Sequence, residues 1–319
     1  MQWTLLLADL AAVSAIAPRL PALETLLARA HAHGAPQGGV MGVLADRFSL
    51  PAETLMAAPF TRLADTGARD NSFYFRADPV HLAADRDQLV MLPLAVLQVQ
   101  AEEARAFSET FNRTYAAQGY HLETPHPERW YLRVPTPFRC VTHDPAGVAG
   151  QPVFEFMPDG EHGQSLRRFM NEVQMLFFEH PVNQAREAAG RPAINSLWFW
   201  GGGRLPETPA TGPGRVWTDR PLIAGLARFA GSDCLAWPCR LDTSSGPEKQ
   251  LIAVNCTTPT EIVQVEEQIA AALLHGLRKR HVSEILIYPG NQCCYRVTPA
   301  SLRRFWRRRR PLPEILGTA

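Results

Sequence analysis

The sequence predicts an α/β fold, with a mainly parallel sheet flanked by helices. Three observations predict it: short apolar runs of strand length, amphipathic stretches of helix length between them, and Gly or Pro at the boundaries. Parallel strands need crossover connections, so alternating strands and helices are typical of this class. With 319 residues, we expect one α/β domain over residues 1–319, with a substrate-side subdomain at about residues 70–165.

The predicted strands begin with Trp3–Ala8. We interpret this run as a strand rather than a signal peptide, because it has no basic leader and Asp9 interrupts the apolar stretch. Further strands are expected at Phe73–Leu82, Gln88–Leu94, Trp130–Val134, Ile194–Trp200, Leu251–Asn255 and Glu284–Tyr288.

The predicted helices follow from apolar spacing and from helix-start signals. Thr258-Pro259-Thr260-Glu261, for example, combines a capping box with proline at the first helical position. The helices are expected at Pro21–His33, Ala101–Ala117, Gln164–Phe178, Leu222–Phe229, Thr258–Arg280 and from Thr298 onward.

Composition excludes several classes of protein. The chain is 46% hydrophobic and 20% charged, which is ordinary for a globular protein, and no apolar run approaches the ~20 residues of a membrane span. We therefore expect a cytoplasmic protein without a membrane partner. The cysteines form no CxxC pair, so we expect reduced thiols rather than a zinc site; they are Cys140, Cys234, Cys239, Cys256, Cys293 and Cys294.

The first candidate site is the segment Arg76-Ala77-Asp78-Pro79-Val80-His81. An arginine offers a bidentate fork for a carboxylate or phosphate, and Asp78 or His81 could orient it. The alternative is a structural Arg–Asp pair at a sheet edge.

The second candidate site surrounds the helix break at Pro181. His180, Asn183 and Arg186 are spaced to share one side of the following helix, and Asn171 and Glu172 lie on the preceding one. Buried polar groups need partners, so these residues either line a pocket or cap helices.

The third candidate site runs from Asn195 through a strand to Gly201, Gly202, Gly203 and Arg204. Glycines after a strand let the backbone approach a ligand closely. The alternative is a mobile loop beside core tryptophans. The run fits neither a Walker loop nor a dinucleotide-binding fingerprint, and the chain has no G-x-S-x-G elbow or HExxH motif.

A fourth feature is the arginine-rich run from Arg303 to Arg310, which we expect on a C-terminal helix. Such a run could contact RNA, DNA or acidic lipid, or complement a helix C-terminus. The net charge is only +1, with 32 basic and 31 acidic residues, so we expect no nucleic-acid partner. A protein partner that binds this helix is the remaining alternative.

Together, these segments resemble a known family. The stretch from His180-Pro-Val-Asn183 through Arg186 and Asn195 to the glycine run, together with Phe75-Arg76-Ala77-Asp78 and Thr142-His143-Asp144-Pro145, resembles archaeal-type cofactor-independent phosphoglycerate mutases of the alkaline phosphatase superfamily. RADPVHL, NEVQMLF, HPVN, NSLWFWGGG and RRFWRRRRPL are similar to the bacterial RpfE-like regulatory family, which is linked to control of secreted virulence factors.

The resemblance implies a reduced alkaline-phosphatase-like architecture. Mutases of that superfamily bind two divalent metals through Asp and His residues around a Ser or Thr nucleophile. Here no Ser or Thr adjoins Asp9, and Asp65-Thr66 is the only early Asp-Thr pair. The only histidines in the last third of the chain are His275 and His281. We therefore expect no metal and no cofactor.

Three hypotheses remain. The first is a regulator without mutase turnover that binds a small anionic metabolite, phosphorylated or carboxylate, through Arg76, His81, Arg186 and Arg204. The second is an active 2,3-bisphosphoglycerate-independent phosphoglycerate mutase or phosphatase, with metal ligands recruited from His143, Asp144 and His162. The third is a structural interaction protein that uses the arginine-rich helix.

Overall fold

The computed structural model describes residues 1–85, 88–237 and 241–317. The chain forms two compact units: Met1–Leu55 with Glu207–Ala319, called unit 1, and Met56–Pro206, called unit 2. Unit 2 is therefore one continuous segment between the two parts of unit 1.

Unit 1 contains a seven-stranded sheet and most of the crossover helices. Its strands are β1 (Gln2–Leu6), β2 (His31–Gly34), β9 (Arg215–Thr218), β10 (Asp233–Leu235), β11 (Lys249–Ala253), β12 (Glu284–Tyr288) and β13 (Cys293–Val297). Its helices are α1 (Leu10–Val13), α2 (Pro21–Arg29), α3 (Gly39–Phe48), α8 (Pro221–Phe229), α9 (Pro259–Gln264), α10 (Ala271–Arg278) and α11 (Leu312–Leu316).

The strand order of this sheet is β10-β9-β11-β1-β12-β13-β2. The first five run parallel, whereas β13 and β2 are antiparallel additions at one edge. The predicted mainly parallel sheet is confirmed for this unit. Buried on both faces, the central strands are nearly continuous apolar runs, as parallel strands require.

One long helix covers the central strands of unit 1. The α9 and α10 helices are joined by a π-helical segment, Val265–Ala270, so the predicted Thr258–Arg280 helix is continuous. The Thr258 capping box opens it, as the sequence predicted. Within the π segment, the Glu266 carboxylate accepts hydrogen bonds from the backbone N–H groups of Ala22 and Leu23, which fixes the start of α2.

Unit 2 is built on antiparallel strands. Its strands are β3 (Phe73–Val80), β4 (Leu82–Asp85), β5 (Gln88–Met91), β6 (His121–His126), β7 (Arg129–Val134) and β8 (Ser196–Gly203). Its helices are α4 (Ala57–Thr66), α5 (Ala101–Tyr115), α6 (Gly163–Phe178) and α7 (Pro181–Ala188). The order β6-β7-β3-β8 forms a four-stranded antiparallel sheet, and β4 and β5 form a separate hairpin.

This second, antiparallel sheet was not predicted. Apolar runs of strand length carry no signal for parallel or antiparallel pairing, because pairing depends on long-range register. One face of the sheet packs against α5 and α6 in an aromatic core that includes Phe107, Trp130, Phe177 and Phe199.

The prediction of an arginine-rich C-terminal helix is wrong. Ser301–Arg303 forms a 3-10 turn, residues 304–311 are not helical, and the last helix is only Leu312–Leu316. Consecutive arginines repel one another at helical spacing, and Pro311 cannot continue a helix from the preceding residues.

Among the helices of the described residues, none combines the length and apolar character that crossing a bilayer requires. The described cysteines are free thiols: Cys140, Cys234, Cys256, Cys293 and Cys294. Cys239, which the sequence reading grouped with them, lies outside the described residues.

Candidate functional site

Arg76 and Asp78 form a buried ion pair at the centre of strand β3. Successive side chains of a strand alternate between faces, so residues two apart share a face. The Nε and Nη2 groups of Arg76 both donate to Oδ1 of Asp78, at 3.0 and 2.5 Å. The other carboxylate oxygen accepts a 2.7 Å hydrogen bond from the Trp200 indole. Burial raises the pKa of the Asp78 carboxyl, although Arg76 and Trp200 oppose that rise.

Two aromatic rings flank the Arg76 guanidinium. Its carbon lies 5.3 Å from the centroid of the Trp200 ring and 5.5 Å from that of Tyr131. Both distances are within cation–π range. The Tyr131 hydroxyl donates to Asp65 at 2.5 Å, and Arg129 donates two hydrogen bonds to the same carboxylate. The guanidinium is therefore held in one orientation by groups from three strands and α4.

Arg76 keeps one nitrogen uncommitted. Its Nη1 has no hydrogen-bond acceptor among the described residues, since the pair with Asp78 uses only Nε and Nη2. Arg62 on α4 provides the contrast: its Nε, Nη1 and Nη2 all donate to Glu123 or Asp70. Arg76 is thus an oriented cation with a spare donor, as an anion-binding arginine requires.

His81 and Asn195 lie at one end of the β3–β8 ladder. His81 Nδ1 donates to the Ala193 carbonyl at 2.8 Å. The Asn195 side chain pairs with both backbone groups of Leu82, at 2.8 and 2.9 Å. Both residues therefore tie the start of β8 to the end of β3.

His180, Asn183 and Arg186 come together at α7, as their spacing predicted, but each has protein partners. His180 Nδ1 caps α7 by accepting from the Val182 N–H, and its Nε2 pairs with Thr110. Arg186, 1% exposed, donates to Glu103 and to the carbonyls of Leu97 and Pro192. The observed contacts of these three residues fit the alternative in which they cap a helix and form buried pairs, rather than line a pocket.

The glycine run packs against protein. A Cβ on Gly201 would lie 2.7 Å from that of Ala57, one on Gly202 would lie 2.3 Å from the Phe75 ring, and one on Gly203 would lie 2.6 Å from the Met56 side chain. Positive φ at Gly201 also favours glycine there. Close packing alone thus accounts for the three glycines.

Two of the predicted site residues, His81 and Arg204, lie far apart along the β3–β8 ladder. Val80 pairs with Ser196 and Tyr74 with Gly203, so His81 and Arg204 lie at opposite ends of one ladder. Six residues of strand separate those ends by roughly 20 Å. Arg204 is exposed beyond Gly203, and Asn171 and Glu172 are exposed on α6. Whether any of these residues contacts a ligand stays a prediction.

The resemblance implies a metal centre, and the residues considered for it can be located in the structure. The described residues contain no group of three or more His, Cys, Asp or Glu side chains able to hold a metal ion. The carboxylate of Asp65 accepts hydrogen bonds from Arg129 and Tyr131. His143 Nδ1 donates to Phe156, whereas the Asp144 and His162 side chains accept from backbone N–H groups.

The sequence reading missed a polar cluster at the carboxyl edge of the parallel sheet in unit 1. Ligands of open α/β sheets bind beyond this edge. Arg220 there lies 3.8 Å from Asp9, the residue that opens α1. Asp219 directly follows β9, and an acidic residue directly after a strand was the signal available in the sequence. Burial, followed by nearby Asp9 and Glu261, raises the pKa of the Cys256 thiol to about 12, which makes Cys256 a poor nucleophile.

Comparison with curated proteins finds similarity to phosphoglycerate mutases. The chain is 28% identical over 175 residues to a probable 2,3-bisphosphoglycerate-independent phosphoglycerate mutase from Geobacter sulfurreducens, over 50% of this chain and 42% of that protein. It is 34% identical over 97 residues to the Methanothrix thermoacetophila 2,3-bisphosphoglycerate-independent enzyme, over 29% of this chain and 25% of that protein. The matched segments thus span less than half of these relatives. No protein-family model matches the chain.

Solved structures extend the likeness in fold. A cofactor-independent phosphoglycerate mutase from Thermoplasma acidophilum superposes with a TM-score of 0.50 at 17% identity, covering 93% of this chain and 89% of that one. A protein from Pyrococcus horikoshii superposes with a TM-score of 0.58 at 14% identity, covering 93% and 87%. The chain therefore has a mixed α/β fold like that of the cofactor-independent phosphoglycerate mutases, and its sequence is similar to theirs over half of its length.

Proposed function

We propose that this protein binds a small anionic metabolite, phosphorylated or carboxylate, at Arg76 and acts as a phosphoglycerate-mutase-like regulator without metal-dependent turnover. The observation that carries the proposal is the uncommitted Nη1 of Arg76, which Asp78, Trp200 and Tyr131 hold in place. An oriented guanidinium loses little conformational freedom when it binds an anion, so the ligand gains affinity.

The names of the relatives supply a substrate class. Phosphoglycerate carries a carboxylate and a phosphate, and both suit the planar fork of an arginine. In this proposal the architecture is reduced: the chain keeps the mutase-like fold but lacks a metal-binding cluster among its described residues. Phosphoryl transfer relies mainly on charge neutralisation, which metals usually provide. The resemblance to RpfE-like proteins supports a regulatory role for this ligand binding.

Isothermal titration with 3-phosphoglycerate tests the binding proposal. The variant Arg76→Met/Asp78→Asn removes the cation and its buried counter-charge together, and we expect it to abolish binding. The matched control, Arg62→Met/Glu123→Gln, removes a neighbouring pair whose arginine has no spare nitrogen, and we expect binding to persist. Equal affinity in wild type and the Arg76 variant, with both folded, would overturn the proposal.

The alternative of an active mutase or phosphatase has support in the names of the relatives. An assay of 2- and 3-phosphoglycerate interconversion with added Mg²⁺ or Mn²⁺, combined with elemental analysis of the purified protein, decides between them. Stoichiometric bound metal and turnover that a chelator abolishes would establish the alternative. Binding without turnover at any added metal would support the regulator.

A further inference from the structure

A basic groove lies on unit 1. It encloses about 810 Å³ and is lined by Arg307, Arg308, Arg309, Arg310, Trp306 and His31. Glu314 is the acidic residue among its lining residues. The chain as a whole is nearly neutral, so the groove concentrates positive charge that the composition does not reveal.

Backbone contacts fix the segment that forms this groove. Arg307 donates to the Ala30 carbonyl at 2.8 Å, and Arg29 donates to the Leu302 carbonyl at 2.8 Å. Arg304 contacts His31, and its positive charge is the largest cause that lowers the pKa of that histidine. The segment is therefore anchored to α2 and β2 even though it is not helical.

The side chains beyond these anchors face solvent. Arg308, Arg309 and Arg310 are exposed, and none of them makes an ion pair within 4 Å to a described carboxylate. Phe305 is 77% exposed and Trp306 is 66% exposed, with their ring planes at 81°. Of these two exposed rings, only Trp306 lines the groove, so an exposed aromatic face and three available guanidinium groups share one concavity.

We propose that this groove binds single-stranded nucleic acid. Proteins that bind single strands without sequence preference combine a positive groove for the phosphates with an aromatic side chain on which bases stack. A flat anionic membrane fits less well, because the arginines line a concave groove that also includes the acidic Glu314. An acidic peptide would use the arginines but give Trp306 no base to stack on.

Fluorescence anisotropy with labelled oligo(dT) and oligo(U) tests the proposal on the full chain. We expect affinity to fall about twentyfold between about 50 mM and about 200 mM salt, as three neutralised phosphates on a single strand require. Trp306→Ala should weaken binding about tenfold through lost stacking. Its matched control is Phe305→Ala, which removes the neighbouring exposed ring outside the groove and should leave affinity unchanged.

The charge requirement is tested separately. Arg308→Gln/Arg310→Gln should weaken binding and flatten the salt dependence, whereas Arg308→Lys/Arg310→Lys should retain most of it. Thermal melting checks that every variant is folded. Three results would overturn the proposal: no binding at low salt, equal losses from Phe305→Ala and Trp306→Ala, or tighter binding to phosphatidylserine vesicles or poly-glutamate than to the oligonucleotides.

Discussion

Oδ1 of Asp78 accepts two hydrogen bonds from Arg76, the residue two positions earlier on the same strand. The pair is almost fully buried, with side chains 8% and 3% exposed. Such a pair adds little stability compared with apolar residues of the same volume, but loss of one partner leaves an unpaired buried charge. Its geometry orients a guanidinium between two aromatic rings, and the proposed ligand site depends on that orientation.

The two halves of this pair should therefore behave non-additively. We predict that Arg76→Gln lowers the free energy of unfolding by about 3–5 kcal/mol, because it leaves the buried Asp78 carboxyl without its ion-pair partner. Arg76→Met/Asp78→Asn should lower the free energy of unfolding by less than the single change does. Urea unfolding of the three proteins measures this, and a double variant less stable than Arg76→Gln would contradict the prediction.

Asp65 should make stability dependent on pH in the acid range. Burial alone would raise the pKa of its carboxyl, but hydrogen bonds from Arg129 and Tyr131 lower it below the ordinary value. A carboxyl with a depressed pKa in the folded state stabilises the fold above its unfolded pKa of about 3.9, and loses that contribution as pH falls through the folded pKa.

We predict that Asp65→Asn removes this part of the acid sensitivity. The measurement is the free energy of unfolding from about pH 7 to about pH 2.5 in wild type and variant. The difference between the two proteins should be constant above about pH 5 and should shrink below about pH 4. Curves that stay parallel over the whole range would show that Asp65 does not titrate differently on folding.

Gly202 should tolerate no side chain, because a Cβ there would lie 2.3 Å from the Phe75 ring. We predict that Gly202→Ala destabilises the protein by about 1–3 kcal/mol through overpacking. Gly147→Ala is the control, since a Cβ at Gly147 meets no atom within 4 Å, and it should change stability by less than about 0.5 kcal/mol. Equal melting temperatures for both variants would refute the packing explanation of the glycine run.

Asn183 joins the end of α6 to the start of β8. Its Nδ2 donates to the carbonyls of Phe177 and Ile194, at 2.8 and 2.9 Å, and its Oδ1 accepts from the Ile194 N–H at 2.8 Å. We predict that Asn183→Ala lowers the free energy of unfolding by about 3 kcal/mol, because it leaves buried backbone groups unpaired. Asn171→Ala, at an exposed position of α6, should be near neutral. Chemical denaturation measures both, and similar costs would show that the hydrogen bonds of Asn183 add no stability beyond that of an exposed amide.

The predicted HPVN and glycine motifs illustrate what local patterns can and cannot reveal. The spacing correctly placed Asn183 and Arg186 on one helix with His180 at its start, because helical geometry is local. Their partners, Thr110, Ile194 and Glu103, lie 70, 11 and 83 residues away along the chain. Whether a polar residue lines a pocket or satisfies a buried backbone group is decided by such distant partners.

By itself, the sequence determined three of the five parallel strands of unit 1 (β1, β11 and β12), the capped helix at Thr258, the helix α6 and the strand β8. Apolar period, caps and proline positions act over a few residues, so they can be read directly. Only the tertiary structure decided the antiparallel sheet, the distance between His81 and Arg204, and the groove formed by arginines expected in a helix. These depend on strand register and on contacts between segments far apart in the chain, which no local pattern encodes.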